Sequence, residues 1–380
     1  MHEPPRLIPL RVSPRISLGE GVPVALPPVQ RAWKFEELLA DAKVLERWEK
    51  IQPFFRLRES TYDLTNQCNL DCDGCFYFQG DKQHAPNTTD PEAWRALMRQ
   101  EKARGITFVV LAGAEPSLVP ELIEACYSEL PMGAVATNGI KKIPEHLAYR
   151  LLVSVWGNDE SSQKTRLSKH LLPKQIKNYA GDSRAVFVYT FTRHNIEEAP
   201  AVIERLAANG CRSTFNLFSA PIGYTGTLRH DAVSLAAVRA TTLDLLERFP
   251  EHVIFSHYNA VVHTHQRSLH ELFGCPYPRQ NRRARLGIGK TFRGYRTDLS
   301  WNTDASCCVP DIDCSDCRHH ASGTAIVASK LLRHATDPDT FSAWLDYMDV
   351  YLAHWVHGYE KSPNLCSKPV APPGFHLLEN

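Results

Sequence analysis

The chain has 380 residues, 43% of them hydrophobic and 22% charged, the balance of an ordinary globular protein holding one large domain, or one large and one small. Forty-three Lys and Arg oppose 42 Asp and Glu, a formal net charge of +1, so no global field selects nucleic acid or an anionic membrane as partner. No apolar run approaches the roughly 20 residues of a membrane span, the start carries no signal-type apolar block, and a cytoplasmic location is expected.

In chain order, residues 1–57 read as a proline-rich arm followed by a leading helix. Residues 58–220 alternate strand-like and helix-like runs. The strand candidates are STYDLT (60–65), TFVVLAG (107–113), GAVATNG (133–139), LLVSVWG (151–157), AVFVYTF (185–191) and STFNLFS (213–219). Several are almost continuously apolar, as parallel strands covered on both faces must be. Between them PEAWRALMRQEKARG, PSLVPELIEACYSEL and IEEAPAVIERLAANG space their apolar residues helically, and the first and third end at Gly. This is an α/β pattern with a parallel sheet, either open and doubly wound or a full or partial (β/α) barrel. In each, chemistry belongs at the C-terminal ends of the strands, where the unusual residues of this stretch fall.

Residues 221–325 read as an extension that continues the sheet through HVIFSHYNAVV (252–262) and then forms a cysteine-rich lobe. Residues 326–380 form a tail whose run DTFSAWLDYMDVYLAHWVHGYEK (339–361) predicts an amphipathic helix packing Trp344, Leu345, Met348, Tyr351 and Leu352 onto the body.

Eleven cysteines in a compartment that keeps thiols reduced point to metal rather than to a disulfide framework. Cys126, Cys211 and Cys366 stand alone and read as small buried apolar side chains. The stretch TNQCNLDCDGCFYF, Thr65–Phe78, places Cys68, Cys72 and Cys75 within eight residues directly after the first strand. Structural zinc wants a fourth ligand to close its tetrahedron, and the nearest candidate, His84, has no companion. An iron–sulfur cluster held by three thiolates keeps one iron open, as a reactive centre requires.

The spacing Cys68-x3-Cys72-x2-Cys75 resembles the signature of the radical S-adenosylmethionine (SAM) superfamily. The resemblance implies a partial (β/α)6 TIM-like barrel, here with a C-terminal cysteine-rich extension. It implies a 4Fe–4S cluster on those three cysteines, with SAM chelated to the fourth iron, cleaved reductively to a 5′-deoxyadenosyl radical that abstracts hydrogen from the substrate. Gly113, Ala114, Glu115 and Pro116 resemble the family's GGEP motif, which binds the SAM amino group. Thr137-Asn138-Gly139 resembles a frequent TNG after the third strand, and Val153–Gly157 the fourth-strand segment whose serine, here Ser154, reaches the SAM carboxylate or ribose. Arg166 and Arg184 are candidates to orient that carboxylate, with a solvated surface role as the alternative. The alternative for Glu115 is a role that serves only the dipole of the helix it starts. Two positions depart from the family pattern. An aromatic residue usually precedes the third cysteine, where this chain has Gly74; Phe76, Tyr77 and Phe78 follow instead, with Tyr77 the candidate neighbour of the adenine. The second glycine of GGEP is Ala114.

The second cluster comprises Cys275, Cys307, Cys308, Cys314 and Cys317. Cys314-x2-Cys317 is a metal-ligand spacing, and Cys275 with Cys308 (or Cys307) completes four thiolates. The resemblance implies an auxiliary 4Fe–4S cluster there; structural zinc is the rival, and His319 and His320 read as polar surface. Arg279-Gln280-Asn281-Arg282-Arg283-Ala284-Arg285, with Arg293, Tyr295 and Arg296 beyond, reads as a solvated loop or as a site for an anionic group such as phosphate or carboxylate. The expected function is a radical SAM enzyme acting on a small metabolic or natural-product molecule, supplied with electrons by a flavodoxin or ferredoxin. The alternatives are modification of a ribosomally made peptide, deoxyadenosyl transfer to an unsaturated lipid, RNA modification (disfavoured by the charge balance) and a zinc-stabilised binding protein without catalysis.

Overall fold

In the computed structural model the described residues are 33–75, 77–78, 86–220, 223–274, 294–295, 297–300, 313–318 and 327–373. Six strands follow one another in sequence order: β1 (Glu59–Asp63), β2 (Phe108–Ala112), β3 (Gly133–Thr137), β4 (Arg150–Val155), β5 (Ala185–Phe191) and β6 (Ser213–Leu217). Every neighbouring pair is parallel, in the order β6-β5-β4-β3-β2-β1-β7, where β7 is Gly294–Tyr295. This is the α/β architecture of a partial (β/α) barrel, each strand lying beside its predecessor. All five residues of β6 and six of seven in β5 are buried, as in strands covered on both faces, although β6 reads Ser-Thr-Phe-Asn-Leu and buries three polar side chains.

The connecting helices form where their ends and faces agree. In the helix Pro91–Ala103 the Asp90 side chain caps Glu92 N at 2.9 Å, Pro91 occupies the first turn, and Trp94, Leu97, Met98 and Glu101 make the buried stripe. Gly105 follows at φ +94°, ending the helix. The second candidate helix divides: a short 3-10 turn at Pro116–Leu118 precedes the helix Pro120–Glu129, because Pro120 starts a new first turn.

Two expectations for the extension change. HVIFSHYNAVV pairs with the sheet only at its start, through Ser213 N to His252 O and Ile254 N to Ser213 O, each 2.7 Å. The Ser256 side chain then caps Asn259 N and turns residues His257–His263 into a helix. The sheet instead gains β7 at its other edge, beside β1. Tyr62 and Tyr295 stack at 5.2 Å, and both hydroxyls donate to Glu101 at 2.8 Å. Burial pushes the Glu101 carboxyl up, but Arg104 and the two tyrosines more than offset it and hold it below the ordinary value.

The tail helix, Pro338–Trp355, buries Trp344, Leu345, Met348 and Leu352 as expected, but it is buried nearly all round rather than on one face. Its polar residues are paired inside. Arg47, from the leading helix Ala42–Ile51, lies 3.2 Å from Asp346 and 3.4 Å from Asp349. The amides of Leu365 and Cys366 also donate to Asp346. Among the described residues no helix is long and apolar enough to cross a membrane.

Candidate functional site

The exits of β1 and β2 stay zipped beyond the strands: Leu64 N donates to Ala112 O at 3.0 Å, and Ala114 N to Thr65 O at 2.8 Å. Gly113 sits at φ +117°, and a Cβ there would stand 2.8 Å from Thr65 O, so both conformation and space demand glycine. Ala114 is not among the described non-glycine residues of positive φ, so its methyl group costs no backbone strain.

The Glu115 side chain, 1% exposed, ties the exit of β2 to that of β3. One oxygen accepts from Ser117 N (3.0 Å) and Thr137 Oγ (2.7 Å), and the other accepts from Asn138 N (2.6 Å). The dipole role therefore holds in part, since Ser117 N belongs to the 3-10 turn, but the two bonds to the β3 exit go beyond it. Asn138 in turn donates through Nδ2 to Asn69 Oδ1 at 2.6 Å and approaches Cys68 Sγ at 3.9 Å. GAEP, TNG and the cysteine loop thus share one polar network, buried at Glu115, Thr137 and Asn138 and reaching the surface at Asn69.

Cys68, Cys72 and Cys75 are half-buried, and none is in a disulfide. Cys68 Sγ also accepts from Leu70 N at 3.4 Å. The loop is fastened by Asp73 N to Thr165 O at 2.7 Å, at the end of the helix Asp159–Arg166. Burial pushes the Cys68 thiol up against the Leu70 amide, and Glu115, Cys72 and Cys75 add to the rise. Burial likewise raises Cys75, opposed by the amides of Phe78 and Tyr77 and by Arg166. Soft donors that repel one another as thiolates suit a shared cationic centre. Among the described residues no group of three or more His, Cys, Asp or Glu side chains could hold a metal ion. Thiolates on three different irons of one cluster need not converge on a single ion, so this donor set fits a cluster better than structural zinc.

Ser154 is half-buried near the end of β4, and its carbonyl accepts from Arg166 Nη1 (2.5 Å) and Gln175 Nε2 (2.7 Å). Gln175 also holds Asn138 O at 2.7 Å. Tyr77 is buried. Arg184 stands at the opposite end of the sheet, just before β5, where it pairs with Asp182 and donates to the carbonyls of Pro144 and Leu147. It cannot serve this site, which corrects that candidate. Asn69, Gln175 and Phe218 escaped the sequence reading. Gln175 had a readable signal, a glutamine within the buried stripe Leu171, Leu172, Ile176 and Tyr179 of the helix Leu171–Tyr179.

In the second cluster Cys275, Cys307, Cys308 and the Cys314 side chain lie outside the described residues, as do His84, Phe76, His319, His320, the run 279–285, Arg293 and Arg296. Cys314–Asp316 form one 3-10 turn, and Cys317 is 7% exposed. Of the lone cysteines Cys126 and Cys211 are buried, whereas Cys366 is half-buried.

No family model matches the chain. Over 164 residues it is 26% identical to the sporulation killing factor maturation protein SkfB of Bacillus subtilis (strain 168), covering 40% of this chain and 40% of SkfB. Over 208 residues it is 28% identical to the 7,8-dihydro-6-hydroxymethylpterin dimethyltransferase of Methanocaldococcus jannaschii, covering 50% of this chain and 40% of that protein. Both relatives are radical SAM enzymes, and their likeness supports the radical SAM reading of this chain. That reading implies a 4Fe–4S cluster and SAM. The chain spans about two-fifths of the length of the curated relatives it matches. Streptococcus suis SuiB bound to the precursor peptide SuiA is a solved structure of 19% identity, covering 57% of this chain and 52% of SuiB at a TM-score of 0.43.

Proposed function

We propose that Cys68, Cys72 and Cys75 bind the three closed irons of a 4Fe–4S cluster, and that the chain uses SAM there to start radical chemistry on an organic substrate. The observation that carries this reading is that Cys68, in the three-thiol loop after β1, meets Asn138, which with Thr137 is tied to Glu115 across the exits of β2 and β3. When bound, the cluster supplies the electron that cleaves SAM to methionine and a 5′-deoxyadenosyl radical, which takes a hydrogen atom from the substrate.

The chain's own residues have narrower tasks. The Glu115 carboxylate has about four lone-pair directions, of which three are used, leaving one toward a bound amino group. Asn138 fixes Cys68 with a weak N–H donor, and Arg166 places a cation beside Cys75. Gln175 holds the turns after β3 and β4 at one separation through their carbonyls. Gly113, Ala114 and Pro116 shape the turn, Ser154 lines the β4 exit, and Tyr77 packs behind the loop. Cys314 and Cys317, with Cys275 and Cys308, are proposed ligands of an auxiliary 4Fe–4S cluster.

The first reading for the substrate remains a small molecule, anionic if the run 279–285 takes part. The likeness to a dimethyltransferase named for a pterin favours it. The likeness to a killing factor maturation protein supports a second reading, modification of a peptide. Anaerobic reconstitution with iron and sulfide tests the core of the proposal. The full chain should turn brown and, under dithionite, release 5′-deoxyadenosine from SAM, and replacing the first three cysteines by Ala should abolish both. A colourless zinc protein without cleavage refutes it.

A further inference from the structure

Gly74 lies between Cys72 and Cys75 at φ +66°, and a Cβ on it would stand 2.8 Å from the Phe218 ring and 3.3 Å from Leu228 Cδ1. The ring of Phe218, 1% exposed, is thus pressed against the backbone of the cysteine turn. Phe218 follows β6, with its N–H bonded to Phe191 O at 2.8 Å. With Ala220 and Leu228 it forms a small apolar cluster separate from the main core, flanked by Trp156 (ring centroids 6.0 Å from Phe218) and Tyr224 (5.3 Å).

The next two residues hold the second cysteine segment. Ser219 Oγ accepts from Arg318 N at 2.8 Å, Ala220 N donates to Asp316 Oδ2 at 2.9 Å, and Asp313 N donates to Ala220 O at 3.0 Å. Arg318, 4% exposed, fastens the far side by donating to the carbonyls of His263, His265 and Gln266, and Leu269 N donates to Cys317 O at 3.1 Å. Three consecutive residues, 218–220, therefore touch the first cysteine turn with a side chain and the second cysteine segment with backbone and hydroxyl groups.

We propose that Phe218 is a positioning residue for Cys75, and that 218–220 couples the two cysteine sites, so that the second segment's hold on Ser219 and Ala220 keeps Phe218 against the Gly74–Cys75 turn. Packed interiors transmit such displacements because they have few alternative arrangements. The first site's assignment rests on the function proposed above, but the mechanical coupling does not, and the test separates the two.

The full chain, without added iron, is labelled with a maleimide over time, and each thiol is read by mass spectrometry in the parent, F218A, F218L and D316A. Cys75 should label faster in F218A and D316A, by roughly tenfold if about 1.4 kcal/mol of local stability is lost. Cys68 should keep its parent rate, and F218L should return Cys75 toward it. Should F218A fail to fold, D316A and F218L carry the comparison. Unchanged Cys75 labelling in D316A, or equal acceleration at Cys68 and Cys75, overturns the coupling. The reconstituted proteins give the second readout: the reduced first cluster should show a shifted electron paramagnetic resonance spectrum in D316A and F218A but not in F218L. A parent chain that takes up no cluster refutes the site assignment while leaving the labelling result to decide the coupling; a parent with a cluster and a D316A spectrum identical to it refutes the coupling alone.

Discussion

Replacing Glu115 by Gln separates two roles for that side chain. In the structure its carboxylate accepts from Ser117 N at 3.0 Å, Thr137 Oγ at 2.7 Å and Asn138 N at 2.6 Å, with 1% of the residue exposed. A glutamine keeps one acceptor oxygen, so its amide nitrogen must face either Asn138 N–H or the Ser117 and Thr137 donors. Leaving one buried donor unsatisfied costs about 1–3 kcal/mol, and turning two charge-assisted bonds into neutral ones costs about 1 kcal/mol each. The sum, about 3–5 kcal/mol, is a large share of the roughly 5–15 kcal/mol that holds a domain together. The assay is urea unfolding of the full chain without iron or SAM, where ligand binding contributes nothing, and E115Q should unfold at clearly lower urea. If its midpoint stays within about 1 kcal/mol of the parent while SAM binding is lost, Glu115 is a ligand group and not the tie between strand ends argued here.

Four further outcomes follow from the same geometry. W344A removes a fully buried indole and should cost about 3–5 kcal/mol in denaturant unfolding. Gln175→Leu removes the donor shared by the carbonyls of Asn138 and Ser154, leaving Ser154 O to Arg166 alone, and should weaken SAM binding in equilibrium dialysis while iron uptake on the three cysteines is retained. Exchanging Cys126, fully buried on the inner face of the helix Pro120–Glu129, for Ala should leave iron content and SAM cleavage intact, whereas exchanging Cys72 should remove both. Tyr295→Phe should detach β7 in part, seen as faster amide exchange in 294–295, because one of the two hydroxyls on Glu101 is lost.

The barrel was legible because parallel strands buried on both faces leave a plain text of short apolar runs, and because turn chemistry bounds them. AVFVYTF is β5 to the residue, and the other five strands start or end within a residue or two of their expected limits. What escaped had weak local signals. β7 is two residues inside an arginine-rich stretch, and only the tertiary stacking of Tyr295 on Tyr62 gives it a place. The start of HVIFSHYNAVV was read correctly, but its second half was not, since one capping serine outweighs the β-propensity of two valines. The burial of the tail helix nearly all round is not legible in its periodicity, because the partner of Asp346 is Arg47, 299 residues away in sequence. At the site the motif residues were legible, whereas Phe218 was not: nothing in STFNLFS says that its second phenylalanine, rather than a residue beside Cys75, fills the space against Gly74.

The tail also sets how the molecule should respond to acid. His334, fully buried, has Nε2 2.8 Å from the Tyr258 hydroxyl and Nδ1 2.8 Å from Lys330 O. A neutral ring satisfies both contacts, donating from Nδ1 and accepting at Nε2, while a protonated ring would turn its acceptor into a donor. Burial lowers its pKa from 6.5 to about 4, against the Lys330 carbonyl, and Arg333 adds to the fall. A base depressed in the folded state contributes its full stability above the unfolded value and loses it as pH falls through the folded one. The window therefore runs from pH 6.5 down to about 4, and the shift is worth about 3 kcal/mol across it. His230, also lowered to about 4 by burial, adds a fall of the same sign. Unfolding midpoints measured at pH 7, 5.5 and 4.5 should drop steadily in the parent chain, and less steeply in His334→Gln, which loses stability at pH 7 but has no proton to gain. Parallel pH profiles for the two proteins would place the acid sensitivity elsewhere.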